Sequence, residues 1–165
     1  MKRLFTAAAA AFVLSALTAC SSVDLNQGKN GSDLNGSDPA SIEAALNNAD
    51  GPLAQKEVYF GFDSYTVSPE YMPVVANHAR FLAAHKNLKV TLEGNTDERG
   101  GREYNLALGQ KRAEAVKQRM TLLGVDPAQI ETVSFGREKP RALGNDEASY
   151  AENRRVDMRY TIPQQ

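Results

Sequence analysis

The chain has 165 residues, enough for one domain around one core, and its 19 Lys+Arg against 20 Asp+Glu leave a formal net charge of −1. That balance gives no support to nucleic acid or anionic lipid as a partner. A single cysteine excludes any internal disulfide, and with it a disulfide-stapled fold.

Met1-Lys2-Arg3 form a basic start, followed by an apolar run from Leu4 to Ala16 and the small residues Thr18 and Ala19. This is the three-part layout of a secretory signal peptide over residues 1–19, its apolar part too short to span a bilayer comfortably. Cys20 follows directly, and Leu17-Thr18-Ala19-Cys20 resembles a bacterial lipobox. That resemblance implies cleavage before Cys20 and lipid on its thiol and new amino group. The alternative is an ordinary signal peptide cut nearby, which leaves a free thiol. The lipobox resemblance further implies the outer membrane, because Ser21 stands where bacterial lipoproteins kept at the inner membrane carry aspartate. Loss of Lys2 and Arg3 takes the formal net charge from −1 to −3, so attachment to a membrane rests on the acyl chains. From Ser21 to about Ala54, Asn, Gly, Ser and Asp dominate, too little apolar surface to offset chain entropy. Residues 20–53 are therefore expected to be a flexible tether, with a root-mean-square span of roughly 30–35 Å and only transient helical turns around Leu25, Leu34, Ile42 and Leu46.

Residues 54–165 hold the expected folded domain. Val58 to Phe62 read as a short strand stopped by Asp63-Ser64. Ser68-Pro69-Glu70 reads as a helix start, with serine as cap, and Tyr71, Val74, Val75, His78, Phe81 and Leu82 recur at helical spacing. Leu88, Val90 and Leu92 then alternate with polar residues, the signature of a strand with one buried face. A long helix is predicted between Gly101 and Leu123, with Gly124 just past its end and Gly109, Ala113, Val116, Met120 and Leu123 as its buried stripe. Ile130 to Phe135 form a third strand, Asp146–Glu152 a helical turn, and Val156, Met158 and Tyr160 a last strand. The order implies an α/β (α+β) sandwich: a four-stranded mixed sheet with helices on one face.

The stretch from Thr91 to Arg112 carries the chemistry. It places an acid, Asp97, at the exit of a strand and Arg112 fifteen residues later, well inside the following helix. Around that helix Arg112 lies about 20° from Asn105, with Gly109 about 40° to the other side, so all three share one edge of the apolar stripe. An arginine there needs a partner. Either Asp97 and Arg112 form an internal salt bridge, with Asn105 capping the helix, or a ligand fills the gap between them. Roughly 10 Å of helix axis between Asn105 and Arg112 favours the ligand, and one acid with one base suits a zwitterion.

Thr96-Asp97-Glu98-Arg99-Gly100, Glu103-Tyr104-Asn105-Leu106-Ala107-Leu108-Gly109, Arg112-Ala113, Ser134-Phe135-Gly136-Arg137-Glu138-Lys139-Pro140 and Asn153-Arg154-Arg155 together resemble the OmpA-like peptidoglycan-binding family. The likeness runs in order from about Glu57 to Tyr160. It implies that Asp97 and Arg112 bind the diaminopimelate of the peptidoglycan stem peptide, with Asn105, Arg155 and Asp63 near the same pocket. It also implies an outer-membrane lipoprotein of a Gram-negative bacterium, its folded domain in the periplasm, anchored through lipid on Cys20. Periplasmic proteins of the Tol system are implied as partners, meeting the face around Glu138 and Lys139 and the rim of the pocket. No cofactor and no enzymatic activity are expected of this chain; the alternative is a protein-interaction module with wall binding secondary. Gly101-Arg102 stand where its members often carry threonine and proline.

Other readings carry less. His78 and His85 have no clustered His or Cys, so core packing and helix-end charge are expected rather than a metal site. Glu93, Asp97 and Glu98 invite comparison with the paired carboxylates of a glycosidase, but no second acid is placed across a sugar cleft. Gly94 to Gly101 contain two acids and lack the lysine of a phosphate-binding loop.

Overall fold

Strands form where apolar residues alternate, and helices where they recur every three or four positions. The computed structural model describes residues 38–162; the expected signal peptide, Cys20 and the first part of the tether lie outside the described residues. The elements run α1 (Pro39–Asn47), β1 (Glu57–Tyr59), a 3-10 turn (Pro69–Tyr71), α2 (Met72–Ala84), β2 (Lys89–Asn95), α3 (Arg102–Leu122), a second 3-10 turn (Pro127–Gln129), β3 (Ile130–Gly136), α4 (Glu147–Asn153) and β4 (Arg155–Thr161). The sheet order is β1-β4-β2-β3, with β4 antiparallel to both neighbours and β2 parallel to β3. The expected four-stranded mixed sheet is what forms.

The core lies between one face of the sheet and the helices. Val58, Val90, Leu92, Val156 and Met158 enter it from the strands, Val75, Ala79 and Leu82 from α2, and Ala113, Val116 and Met120 from α3, all buried. Each large side chain among them contributes about 1.5–3 kcal/mol. Gln129 is also buried, and its amide donates to the carbonyls of Leu82, His85 and Leu88, which satisfies the end of α2 and the turn into β2.

Four expectations are corrected. Residues 38–53 are not tether: α1 starts on an Asp38 cap and Pro39, and Ile42, Ala45, Leu46 and Leu53 join the core. Four apolar residues in a polar stretch are too few to fold alone, but they suffice when a sheet and helices already offer a surface. β1 ends at Tyr59, because the chain turns away through Gly61 to Asp63, whose φ of 53° is left-handed. Ser68 makes no side-chain cap; the 3-10 turn precedes α2 instead. Leu123 is half exposed, since α3 has ended there and Gly124, at φ 95°, turns the chain.

Helix α3 and strand β2 meet backbone to backbone. A methyl group on Gly94 would lie 1.9 Å from the Gly109 carbonyl oxygen, and one on Gly109 would lie 2.3 Å from Ser134 Oγ. What Gly109 admits is thus the strand itself. This close approach lowers Asn105 and Arg112, one turn before and after Gly109, onto the loop that follows β2.

Candidate functional site

A cavity of about 220 Å³ opens between that loop, the start of α3 and the segment after β1. Asp63, Asp97, Asn105 and Arg112 all line it, joined by Phe62, Arg99, Tyr104 and Leu108. The left-handed turn at Asp63 brings its carboxylate to the rim, where it accepts a hydrogen bond from the Tyr104 hydroxyl. Asn105 does not cap α3. Its amide donates to the Arg99 carbonyl at 2.9 Å and so ties the loop to the helix.

Arg112 forms part of the cavity floor and is fully buried. Its guanidinium donates to three carbonyls: Nε to Ser64 at 2.8 Å, Nη1 to Asn95 at 2.8 Å and Nη2 to Gly61 at 3.1 Å. The three acceptors come from β2 and from the segment after β1, so the arginine stitches the cavity walls together. Burial, and then the nearby Arg154 cation, push its pKa down to about 10, against smaller opposing effects of Asp97, Tyr104 and Asp63. The cation is held by neutral oxygens rather than by an acid.

Asp97 makes other pairs than the one weighed from sequence. Its carboxylate accepts from Arg99 Nη2 at 2.7 Å, from the Arg99 main-chain N–H at 3.2 Å and from Arg154 Nη1 at 3.3 Å. Burial works against its ionisation, yet the hydrogen bonds from Arg99 and Arg154 outweigh burial and hold the carboxyl below its usual range. Arg154 in turn donates to the Phe60 carbonyl and to Glu147 of α4.

Arg155 is not brought to this cavity. Strand alternation turns it to the sheet face away from α3, where it pairs with Asp157 at 3.0 Å. Its neighbour Arg154 takes the position at Asp97. The spacing of Asn153-Arg154-Arg155 gave no means of choosing between two adjacent arginines, because the register of β4 decides it. Glu93 also lies on the far face, paired with Lys139 at 2.6 Å and within 3.6 Å of Arg159, so it does not face Asp97 as a second carboxylate. His78 and His85 are buried in the packing of α2, and no group of three or more His, Cys, Asp or Glu converges on a metal position among the described residues. Arg102, at the departure from the usual loop pattern, donates to Glu138 at 3.1 Å.

Three residues missed from sequence, Arg99, Phe62 and Tyr104, complete the site. Arg99 lies 4.2 Å above the Phe62 ring and 4.4 Å from that of Tyr150, and Phe62 and Tyr104 stay more than half exposed on the rim. The signal was present in Asp97-Glu98-Arg99, where an aspartate two residues before an arginine favours a local turn.

Comparison with known proteins agrees with this architecture. The OmpA family matches residues 59–154. A peptidoglycan-associated lipoprotein of Haemophilus influenzae is 45% identical over 147 residues, 89% of this chain and 92% of that protein. One from Pasteurella multocida is 54% identical over 103 residues, 62% of this chain and 69% of that protein. The crystal structure of the peptidoglycan-associated lipoprotein from Burkholderia pseudomallei superposes with a TM-score of 0.70 at 54% identity, over 75% of this chain and all of that one. With more than half of its length matched and the fold shared, the chain belongs to the OmpA family and, within it, to the peptidoglycan-associated lipoproteins.

Proposed function

We propose that this protein anchors the outer membrane to the cell wall by non-covalent binding of diaminopimelate in peptidoglycan stem peptides. The observation that carries the reading is Arg112, a buried cation on the floor of an open cavity whose hydrogen-bond partners are carbonyls alone. Such a guanidinium has donors and charge left for a carboxylate, and the low dielectric around it strengthens the pair. Asp63 and Asp97 supply negative charge to the same cavity. The side-chain end of diaminopimelate carries an ammonium and a carboxylate on one carbon and meets both. The role is binding rather than catalysis, and it needs no cofactor. Lipid on Cys20 and the segment after it join this weak pocket to the membrane, so retention comes from two attachments acting together.

Titration calorimetry of the full chain tests this with three muropeptides: one carrying diaminopimelate, one with that carboxylate amidated, and one carrying lysine. Markedly tighter binding of the first than of the other two is the expected outcome. Equal binding of all three removes the carboxylate from recognition, and the pocket with it.

A second reading rests on the rim. Phe62 and Tyr104, which line the cavity, are each more than half exposed. Aromatic side chains so placed suit a protein partner, which by resemblance is a periplasmic protein of the Tol system. Capture of that partner that survives Phe62→Ser and Tyr104→Ser would exclude this rim as its contact.

A further inference from the structure

The buried acid of the pocket, Asp97, is already occupied by the protein itself. Asp97 holds the guanidinium of Arg99, and Arg99 lines the same cavity. We infer that Arg99 is a self-capping side chain that fills the ammonium subsite while the pocket is empty and must swing off Asp97 before a ligand ammonium binds. This rests on the zwitterion reading above and concerns how that site is regulated.

Four observations support the swing. The Arg99 side chain is about one-third exposed, at 36%, whereas Asp97 and Arg154 are buried, so it is the partner free to leave. Its Nε is buried without a hydrogen-bond partner, so the capped position leaves one of its own donors unsatisfied. Asp97 keeps Arg154 at 3.3 Å when Arg99 departs, and the buried acid is never left unpaired. In the capped position Arg99 Nη1 already lies 3.4 Å from the exposed Glu147, and the guanidinium lies against the rings of Phe62 and Tyr150, so a pivot about these contacts opens the Asp97 bond without stranding the cation.

The loop itself can stay in place. The Arg99 carbonyl is held by Asn105, and the carbonyls of Glu98 and Gly100 by Arg137 Nη1 at 3.2 Å. The motion is therefore a side-chain exchange. Its cost falls equally on every ligand that brings an ammonium, because only the uncapped fraction of the protein binds. Capping weakens the single-site affinity and leaves untouched the preference for a carboxylate, which Arg112 supplies. A tether to the wall that must release and rebind gains from such a device.

The test compares wild type, Arg99→Gln and Arg99→Lys, each shown by thermal melting to be folded, against the diaminopimelate and lysine muropeptides. Arg99→Gln is expected to bind both about tenfold more tightly, with their ratio preserved, corresponding to an uncapped fraction of about one-tenth in the wild type. Arg99→Lys, which keeps a cation within reach of Asp97, is expected to stay near wild type. Unchanged or weaker binding by Arg99→Gln overturns the inference, as does a gain shared by Arg99→Lys. A wild type that does not distinguish the two muropeptides overturns the zwitterion reading instead.

Discussion

Among the described residues the largest fully buried side chain is an arginine, Arg112, and its three carbonyl acceptors explain how that is tolerated. A lysine would offer one charged point where three diverging donors are needed. Arg112→Lys is therefore expected to lower the free energy of unfolding by about 2–3 kcal/mol, since at least one buried carbonyl loses its donor. Urea denaturation measures this, and an unchanged midpoint would mean the carbonyls find other partners. Sequence placed Asp97, Asn105 and Arg112 at one site through helix periodicity and their distance from a strand end. It did not show that Asp97 pairs with Arg99 and Arg154, because that choice depends on where β4 sets Arg154 down.

At the scale of elements, two contacts position the site. The approach of α3 to β2 requires that neither Gly94 nor Gly109 carry a side chain, since backbone atoms of one occupy the space beside the other. Gly94→Ala forces these backbones apart and is expected to cost about 3 kcal/mol or more, and to loosen the cavity with it. Amide hydrogen exchange would show the loss first at the start of α3; protection equal to wild type would contradict this account. The other contact is α1, which the composition assigned to the tether. Leu46 is buried against the core, so Leu46→Ala is expected to destabilise the domain by about 2–3 kcal/mol. No change in the unfolding midpoint would return α1 to the tether.

The whole molecule is joined at His78, which links three distant parts of the chain. Its Nδ1 lies 2.6 Å from the Tyr160 hydroxyl on β4 and its Nε2 lies 2.8 Å from the Gln55 carbonyl before β1. A carbonyl only accepts, so Nε2 carries the proton and Nδ1 accepts from Tyr160. Burial lowers the imidazole pKa; the Gln55 bond and Glu57 oppose that, and Lys56 adds to it. The unfolded chain then binds a proton more readily than the folded one. Stability is therefore full above about pH 6.5 and falls as the pH drops below that value, by up to about 1.4 kcal/mol per unit from this residue. Denaturant unfolding between pH 7.5 and 5 is expected to show this slope in the wild type and to lose it in His78→Gln. An equal slope in both would place the sensitivity elsewhere.

The sequence by itself determined the strands, the long helix with Gly124 past its end, the mixed sheet and the grouping of Asp97, Asn105 and Arg112, because each follows from local periodicity and short spacing. Only the tertiary structure decided which of two adjacent arginines reaches Asp97, which acid each one holds, and that a polar N-terminal stretch folds back as α1. Those outcomes depend on strand register and on surfaces built by residues far away in the chain. A one-residue step turns a side chain to the opposite face of a sheet, and four apolar residues become core only when the remainder of the core is already there to receive them.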